Sequence, residues 1–119
     1  MRLKHAGIQV KDLKKSLKFY QDLLGLKKSW KLDPDWTLLQ DSAGGMLALI
    51  QKGHKRHRPH IGFLVDSKKQ VDLTYKKIQK ARLKSSAPEE HRDGSYGFYF
   101  KDLDGNNIEI LYFPRHSKN

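Results

Sequence analysis

The chain has 119 residues, with 24 Lys and Arg against 13 Asp and Glu, a formal net charge of +11, and no cysteine. That length predicts one domain large enough for a hydrophobic core, and the lack of thiols excludes disulfides, thiolate metal sites and a cysteine nucleophile. No apolar run approaches the 18 or so residues of a membrane span. Met1-Arg2-Leu3-Lys4-His5 has no apolar signal-peptide core, so a cytoplasmic protein is expected. The positive field favours anionic partners. Much of it, however, solvates helix faces: Lys11, Lys14, Lys15 and Lys18 lie opposite Leu13, Leu17 and Tyr20 on a helical wheel, and Lys68, Lys69, Lys76, Lys77 and Lys80 follow the same pattern. Nothing in the chain matches a nucleic-acid motif, so nucleic acid is not an expected partner.

In chain order, residues 2–10 alternate as a strand, with Leu3, His5, Gly7 and Gln9 on one face and Ala6, Ile8 and Val10 on the other. Asp12 is placed to cap a helix to about residue 24, whose apolar stripe is Leu13, Leu17, Tyr20 and Leu24. Gly25 falls where a left-handed terminating residue belongs. Residues 26–32 read as a strand, Asp33-Pro34-Asp35 as a turn, and 36–41 as a second strand. Ser42-Ala43-Gly44-Gly45 is another turn. Met46-Leu47-Ala48-Leu49-Ile50 suits a strand buried on both faces. Residues 52–59, Lys-Gly-His-Lys-Arg-His-Arg-Pro, have nothing apolar to bury and should form an exposed connection.

The order then repeats. Residues 60–65 form a strand with His60, Gly62 and Leu64 on one face. Asp66 or Ser67 caps a helix to about residue 81, with Val71, Thr74, Tyr75 and Ile78 inward. Residues 82–86 suggest a weak strand and 87–94 a polar loop. Residues 96–101 and 107–113 are strands joined at Asp102-Leu103-Asp104-Gly105, and 114–119 should be a frayed basic tail. The fold class is therefore α+β: two βαβββ modules, about 2–52 and 59–113, in a single domain over 1–119.

The duplication is written in the residues themselves. His5-Ala6-Gly7-Ile8-Gln9-Val10 returns 55 positions later as His60-Ile61-Gly62-Phe63-Leu64-Val65. Both copies read His-x-Gly-apolar-x-Val, the mark of a duplicated supersecondary unit. In each, the Gly two residues on leaves open space on the histidine's face. Glu109 lies between Ile108 and Ile110 in a strand otherwise ready for burial, where an ionised carboxylate is costly unless something positive meets it. Either histidine alone reads more simply as a satisfied core residue. Two at equivalent places in a repeat, with a carboxylate in the last strand, make the two-His-one-carboxylate arrangement of non-haem iron and related ions. These donors suit Fe(II), Mn(II), Ni(II), Co(II) or Zn(II), and sequence does not choose among them.

Several stretches together resemble the vicinal oxygen chelate superfamily, which includes glyoxalase I, bleomycin-resistance proteins, fosfomycin-resistance enzymes and extradiol dioxygenases. They are Leu3-Lys4-His5-Ala6-Gly7-Ile8-Gln9-Val10-Lys11-Asp12, Ser16-Leu17-Lys18-Phe19-Tyr20 with Leu23-Leu24-Gly25-Leu26, His60-Ile61-Gly62-Phe63-Leu64-Val65, and Phe98-Tyr99-Phe100-Lys101-Asp102-Leu103-Asp104-Gly105-Asn106-Asn107-Ile108-Glu109-Ile110. The resemblance covers about residues 2–113. It implies paired βαβββ modules whose mixed sheets curl round a metal cleft, commonly in a homodimer, with His5, His60 and Glu109 as metal ligands. It implies an active-site Tyr at Tyr99, ten residues before Glu109.

One position departs from glyoxalase I. Where that enzyme has a first-module Glu acting as a proton-shuttling base, the best match here is Ala48. Gln51 or Gln9 offers an amide oxygen, but an amide is no base. The resemblance then implies a metal-dependent enzyme closer to extradiol dioxygenases or fosfomycin-resistance enzymes, acting on a small, oxygen-rich, anionic substrate. His91 is a candidate acid or base. Lys55, Arg56 and Arg58 are candidates to gather the anion, with Gln9 beside them in substrate binding. The competing reading is a bleomycin-resistance-like binding protein without catalysis.

Overall fold

Hydrophobic alternation and helix caps place ten elements among the described residues. They are β1 (Arg2–Val10), α1 (Leu13–Leu24), β2 (Lys27–Asp33), β3 (Trp36–Gln40), β4 (Met46–Gln51), β5 (His60–Val65), α2 (Lys68–Lys80), β6 (Glu89–Glu90), β7 (Tyr96–Lys101) and β8 (Asn107–Tyr112). The structure, a computed structural model, describes residues 1–33, 35–54, 58–91 and 94–114. The fold is α+β, and the βαβββ order occurs twice. Contacts divide the chain into two compact units, Lys4–His60 and Met1–Leu3 with Ile61–Asn119.

In the first unit the strands lie in the order β2-β3-β4-β1. β1 and β4 run parallel, while β3 is antiparallel to both β2 and β4. The parallel pair requires a crossover, and α1 with two strands supplies it. Asp12 caps α1 by accepting the Lys15 N–H at 3.1 Å. Gly25 ends it at φ 72°, with its N–H on the Gln21 carbonyl and the Leu26 N–H on that of Tyr20. This pattern satisfies carbonyls that a helix end would otherwise expose.

Gln51 fastens the helix start to the sheet. Its Oε1 accepts the Leu13 N–H at 2.9 Å, and its Nε2 donates to the Lys11 carbonyl at 2.6 Å. The face carrying Leu47, Leu49 and Gln51 is thus the one α1 covers. Both amide groups of Gln51 are committed there, on the face away from His5, so the amide-oxygen role considered for it does not hold. Gln51→Ala should lower unfolding free energy by about 1–2 kcal/mol, the cost of two lost partners at a helix start. Urea denaturation would measure it, and an unchanged midpoint would contradict this clamp.

In the second unit the order is β5-β8-β7-β6, with β5 and β8 parallel and the other pairs antiparallel. Ser67, of the two candidates, caps α2 by accepting the Gln70 N–H at 3.1 Å. Asp66 instead binds Arg2 at 2.8 Å. Val65, Val71, Phe98 and Ile110 are buried together, and Phe63, Tyr75, Ile78, Tyr96, Phe100 and Tyr112 pack round them. This is the inward face of α2 meeting one face of β5, β7 and β8.

The weak strand expected at 82–86 is reduced to one bridge, Ser85 to Phe100, and the named strand is Glu89–Glu90. Arg82 adopts φ 59°, and Pro88 has no N–H to donate, so the outer edge of β7 is covered by two short pieces. The second piece is tied to α2, where Lys68 binds Glu90 and Tyr96 donates to Asp72 at 2.6 Å. The Asp72 hydrogen bond, then burial, then the charges of Asp72 and Glu90 raise the Tyr96 pKa above its ordinary 10.0. The stabilisation from this bond is therefore complete below about pH 10 and lost as pH climbs through the folded-state value. Ultraviolet titration should show Tyr96 ionising later than an ordinary phenol, and Asp72→Asn should return that part of the titration toward 10.

Candidate metal-binding site

β1 and the first residue of β5 bring the two repeated histidines together within the first unit. His5 Nε2 and His60 Nε2 are 2.8 Å apart, and the rings are tilted by 35° with centroids at 4.8 Å. His60 Nδ1 lies 2.7 Å from the Arg58 carbonyl. A carbonyl only accepts, so Nδ1 carries a proton, and in that tautomer Nε2 offers its lone pair. His5 accordingly donates its Nε2–H to it. Arg58 precedes Pro59, and a residue before proline is held extended. No motif around His60 announces that this backbone carbonyl sets its tautomer.

Beside the histidines, the middle of this face is apolar. Register pairs His5 with Met46 and Gly7 with Ala48, and β3 sets Leu38 beside Ala48. Met46, Ala48 and Leu38 are all buried. Ala48 therefore stands on the histidine face, one step along the strand from the residue paired with His5, and brings no acid or base there. Gln9 is exposed on the same face, two residues beyond Gly7.

In the second unit, Glu109 is buried on β8, and β7 sets Tyr99 directly across from it. Both point away from α2, since Phe98, Phe100 and Ile110 occupy the α2 side. The Tyr99 phenol pKa is raised by burial first, then by the Glu109 charge, then by donating a hydrogen bond to that carboxylate. Tyr99 as a whole residue keeps 37% of its surface exposed. The exposed fraction describes the whole residue, whereas the shift reflects the crowded surroundings of the phenol oxygen beside Glu109. At neutral pH the phenol is a proton donor.

The Tyr99 backbone is held from the other side. Its N–H donates to Ser86 Oγ at 2.9 Å, and its carbonyl accepts the Ser86 N–H at 2.8 Å. The serine hydroxyl stands in for a ladder carbonyl where the chain turns away before Pro88. An exposed Ser at the end of the expected weak strand 82–86 carried no sequence signal for this. His91 is exposed, with its N–H on the Ser95 carbonyl and its own carbonyl accepting from Gly94. It adjoins the Tyr96 end of β7, three residues, or about 10 Å, from Tyr99 along the strand. Arg58 is exposed. Lys55 and Arg56, the other proposed anion-gathering residues, lie outside the described residues, as does 115–119 of the expected tail.

A duplicated βαβββ chain with an equivalent histidine in each repeat defines a class of α+β proteins built by duplication. The chain belongs to the glyoxalase/bleomycin resistance protein/dioxygenase superfamily, which it matches over residues 2–110. It is similar to a trivalent organoarsenical cleaving enzyme of Bacillus sp. (strain MD1), at 27% identity over 119 residues, covering 94% of this chain and 73% of that protein. Streptomyces coelicolor methylmalonyl-CoA epimerase shares the fold at TM-score 0.72 and 20% identity, covering 96% of this chain and 98% of that one. The Mycobacterium tuberculosis methylmalonyl-CoA epimerase does so at TM-score 0.75 and 17% identity, covering 99% and 92%. Identities this low establish architecture, not reaction. The superfamily includes enzymes, as these names show.

Proposed function

We propose that the protein is a divalent-metal-dependent enzyme of this superfamily, with His5, His60 and Glu109 as the protein ligands and a small oxygen-rich compound as substrate. The His5–His60 pair carries the reading. The two Nε2 atoms, 2.8 Å apart, are close enough that both could turn toward one divalent ion. His60 already presents its Nε2 lone pair, with the other nitrogen held by a carbonyl, the usual support of a ligating histidine. His5 needs only to move its proton from Nε2 to Nδ1. Glu109, buried in the last strand, would supply the hard oxygen donor of a two-His-one-carboxylate set.

An ion held there would supply Lewis-acid polarisation of substrate oxygens. The remaining work falls to the chain's own side chains. Arg58 fixes the His60 ring through its carbonyl, and Tyr99 orients Glu109 by donating to it. Tyr99, protonated at neutral pH, can also donate to a substrate oxygen that gains charge. His91 has no part in this reading, because its exposed position adjoins the Tyr96 end of β7. Ala48 argues against an isomerase that needs a first-module base, and favours a dioxygenase-like or epoxide-opening reaction. The organoarsenical relative's chemistry transfers poorly, since soft trivalent arsenic calls for thiolates and this chain has no cysteine. The +11 charge supports an anionic substrate.

The test is calorimetric titration of chelator-stripped protein with Mn(II), Fe(II), Co(II), Ni(II) and Zn(II). Turnover assays of the loaded protein should follow, with catechols under oxygen and with an anionic epoxide plus thiol. Folded protein that binds none of the five ions would sink the proposal. Metal binding without turnover of either substrate class would favour a binding protein.

A further inference from the structure

We propose that Gly7 is a positioning residue whose missing side chain is the seat of the His60 ring; the inference deepens the metal-site reading and rests on it for its consequence. A Cβ built on Gly7 would stand 2.6 Å from His60 Cε1, 2.8 Å from Nδ1 and 3.3 Å from Nε2. Carbon and nitrogen atoms do not approach so closely without bonding, so the ring occupies the space a side chain would fill. Backbone conformation does not explain the glycine. Gly25, Gly44, Gly53, Gly94 and Gly105 have positive φ among the described residues, and Gly7 is not with them. It lies in the regular part of β1, paired with Ala48, where an alanine backbone fits without strain. What Gly7 supplies is space.

The three contacted atoms form one edge of the imidazole, and that edge carries both of its hydrogen bonds. Nδ1 donates to the Arg58 carbonyl, and Nε2 accepts from His5. A methyl group at position 7 therefore presses on the edge whose placement sets the tautomer and aims the lone pair. The obstacle is a side chain and not backbone, so the strand survives the substitution and the ring gives way. The repeated phrase thereby gains a second meaning: the glycine of its first copy houses the histidine of its second.

The experiment compares wild type with Gly7→Ala in the metal-free state by imidazole nitrogen NMR, and then by Co(II) titration. Wild type should show His60 as the Nδ1–H form with a hydrogen-bonded Nε2. Gly7→Ala should keep the wild-type circular dichroism, lose that signature, and bind Co(II) about 10–100-fold more weakly, the range seen when a ligand's orienting contacts are removed. An unchanged imidazole spectrum would overturn the proposal, as would unchanged affinity in a wild type that binds. A wild type that binds no ion would defeat the metal-site reading, while the spectrum would still decide whether Gly7 seats the ring. Should Gly7→Ala fail to fold, Gly7→Ala/His60→Ala provides the check, because contacting residues couple and removing the ring removes the conflict. A folded double variant supports the seat, and an unfolded one overturns it.

Discussion

Chelator-stripped His60→Ala is expected to bind Co(II) or Mn(II) more than about 100-fold more weakly than wild type, exceeding the effect of removing a supporting contact alone. The expectation follows from the local geometry. His60 presents its Nε2 lone pair because the Arg58 carbonyl holds Nδ1, so its loss removes both a donor and the best-oriented one. His5→Ala and Glu109→Ala should each weaken binding comparably, and Glu109→Gln should show how much of that depends on charge. Metal at 100 times its dissociation constant should raise wild-type stability by about 2.7 kcal/mol. His60→Ala should forfeit that gain at the same concentration. If all three variants bind as wild type does, the ion is held elsewhere and the proposed site is wrong.

Phe98→Ala should be the most damaging single change to the second unit, costing about 3–5 kcal/mol. Only 1% of Phe98 is exposed, and it sits with Val65, Val71 and Ile110 at the centre of the cluster under α2. Its ring meets Tyr75 of the helix edge-on at 5.3 Å, a geometry that adds to area burial. Alanine would leave a cavity between a helix and a sheet that cannot both collapse into it. A chain of this size should then melt about 10–20 °C lower. Differential scanning calorimetry would read the shift. A drop of only a few degrees would mean the helix and sheet relax freely, against the packing described. Tyr99, next along the strand, faces the other way, so Tyr99→Phe should spare this cluster and cost only the hydrogen bond to buried Glu109, about 1–3 kcal/mol.

These two expectations separate what alternation can and cannot reveal. The split between Phe98 and Tyr99 is visible in the sequence because a strand has a strict period of two. The same rule put Glu109 opposite Ile110, and the structure agrees, with Ile110 under α2 and Glu109 across from Tyr99. Helix ends were legible at Asp12 and Gly25 because capping is a local exchange of hydrogen bonds. The stretch 82–90 misled, because a left-handed Arg82 and a helix-to-strand tie through Lys68 and Glu90 decide which residues pair.

Gln51 shows the limit most clearly. As an amide beside an apolar strand it was a reasonable ligand candidate, yet α1 claims both ends of it. The partner that settled its role lies 38 residues away in sequence. No periodicity within either segment could have announced the meeting.

By itself, the sequence determined the duplicated phrase, the twice-written βαβββ order and the inward faces, through local periodicity, caps and repetition. The superfamily came from the resemblance of several stretches to a known family. Tertiary structure alone decided that His5 and His60 meet nitrogen to nitrogen, that a carbonyl at Arg58 chooses the tautomer, and that Gly7 makes room for the other copy's ring. The repeat, 55 residues long, suggested that the two histidines could meet, but the atoms in contact, the tautomer and the seat depend on register and are set only when the chain folds.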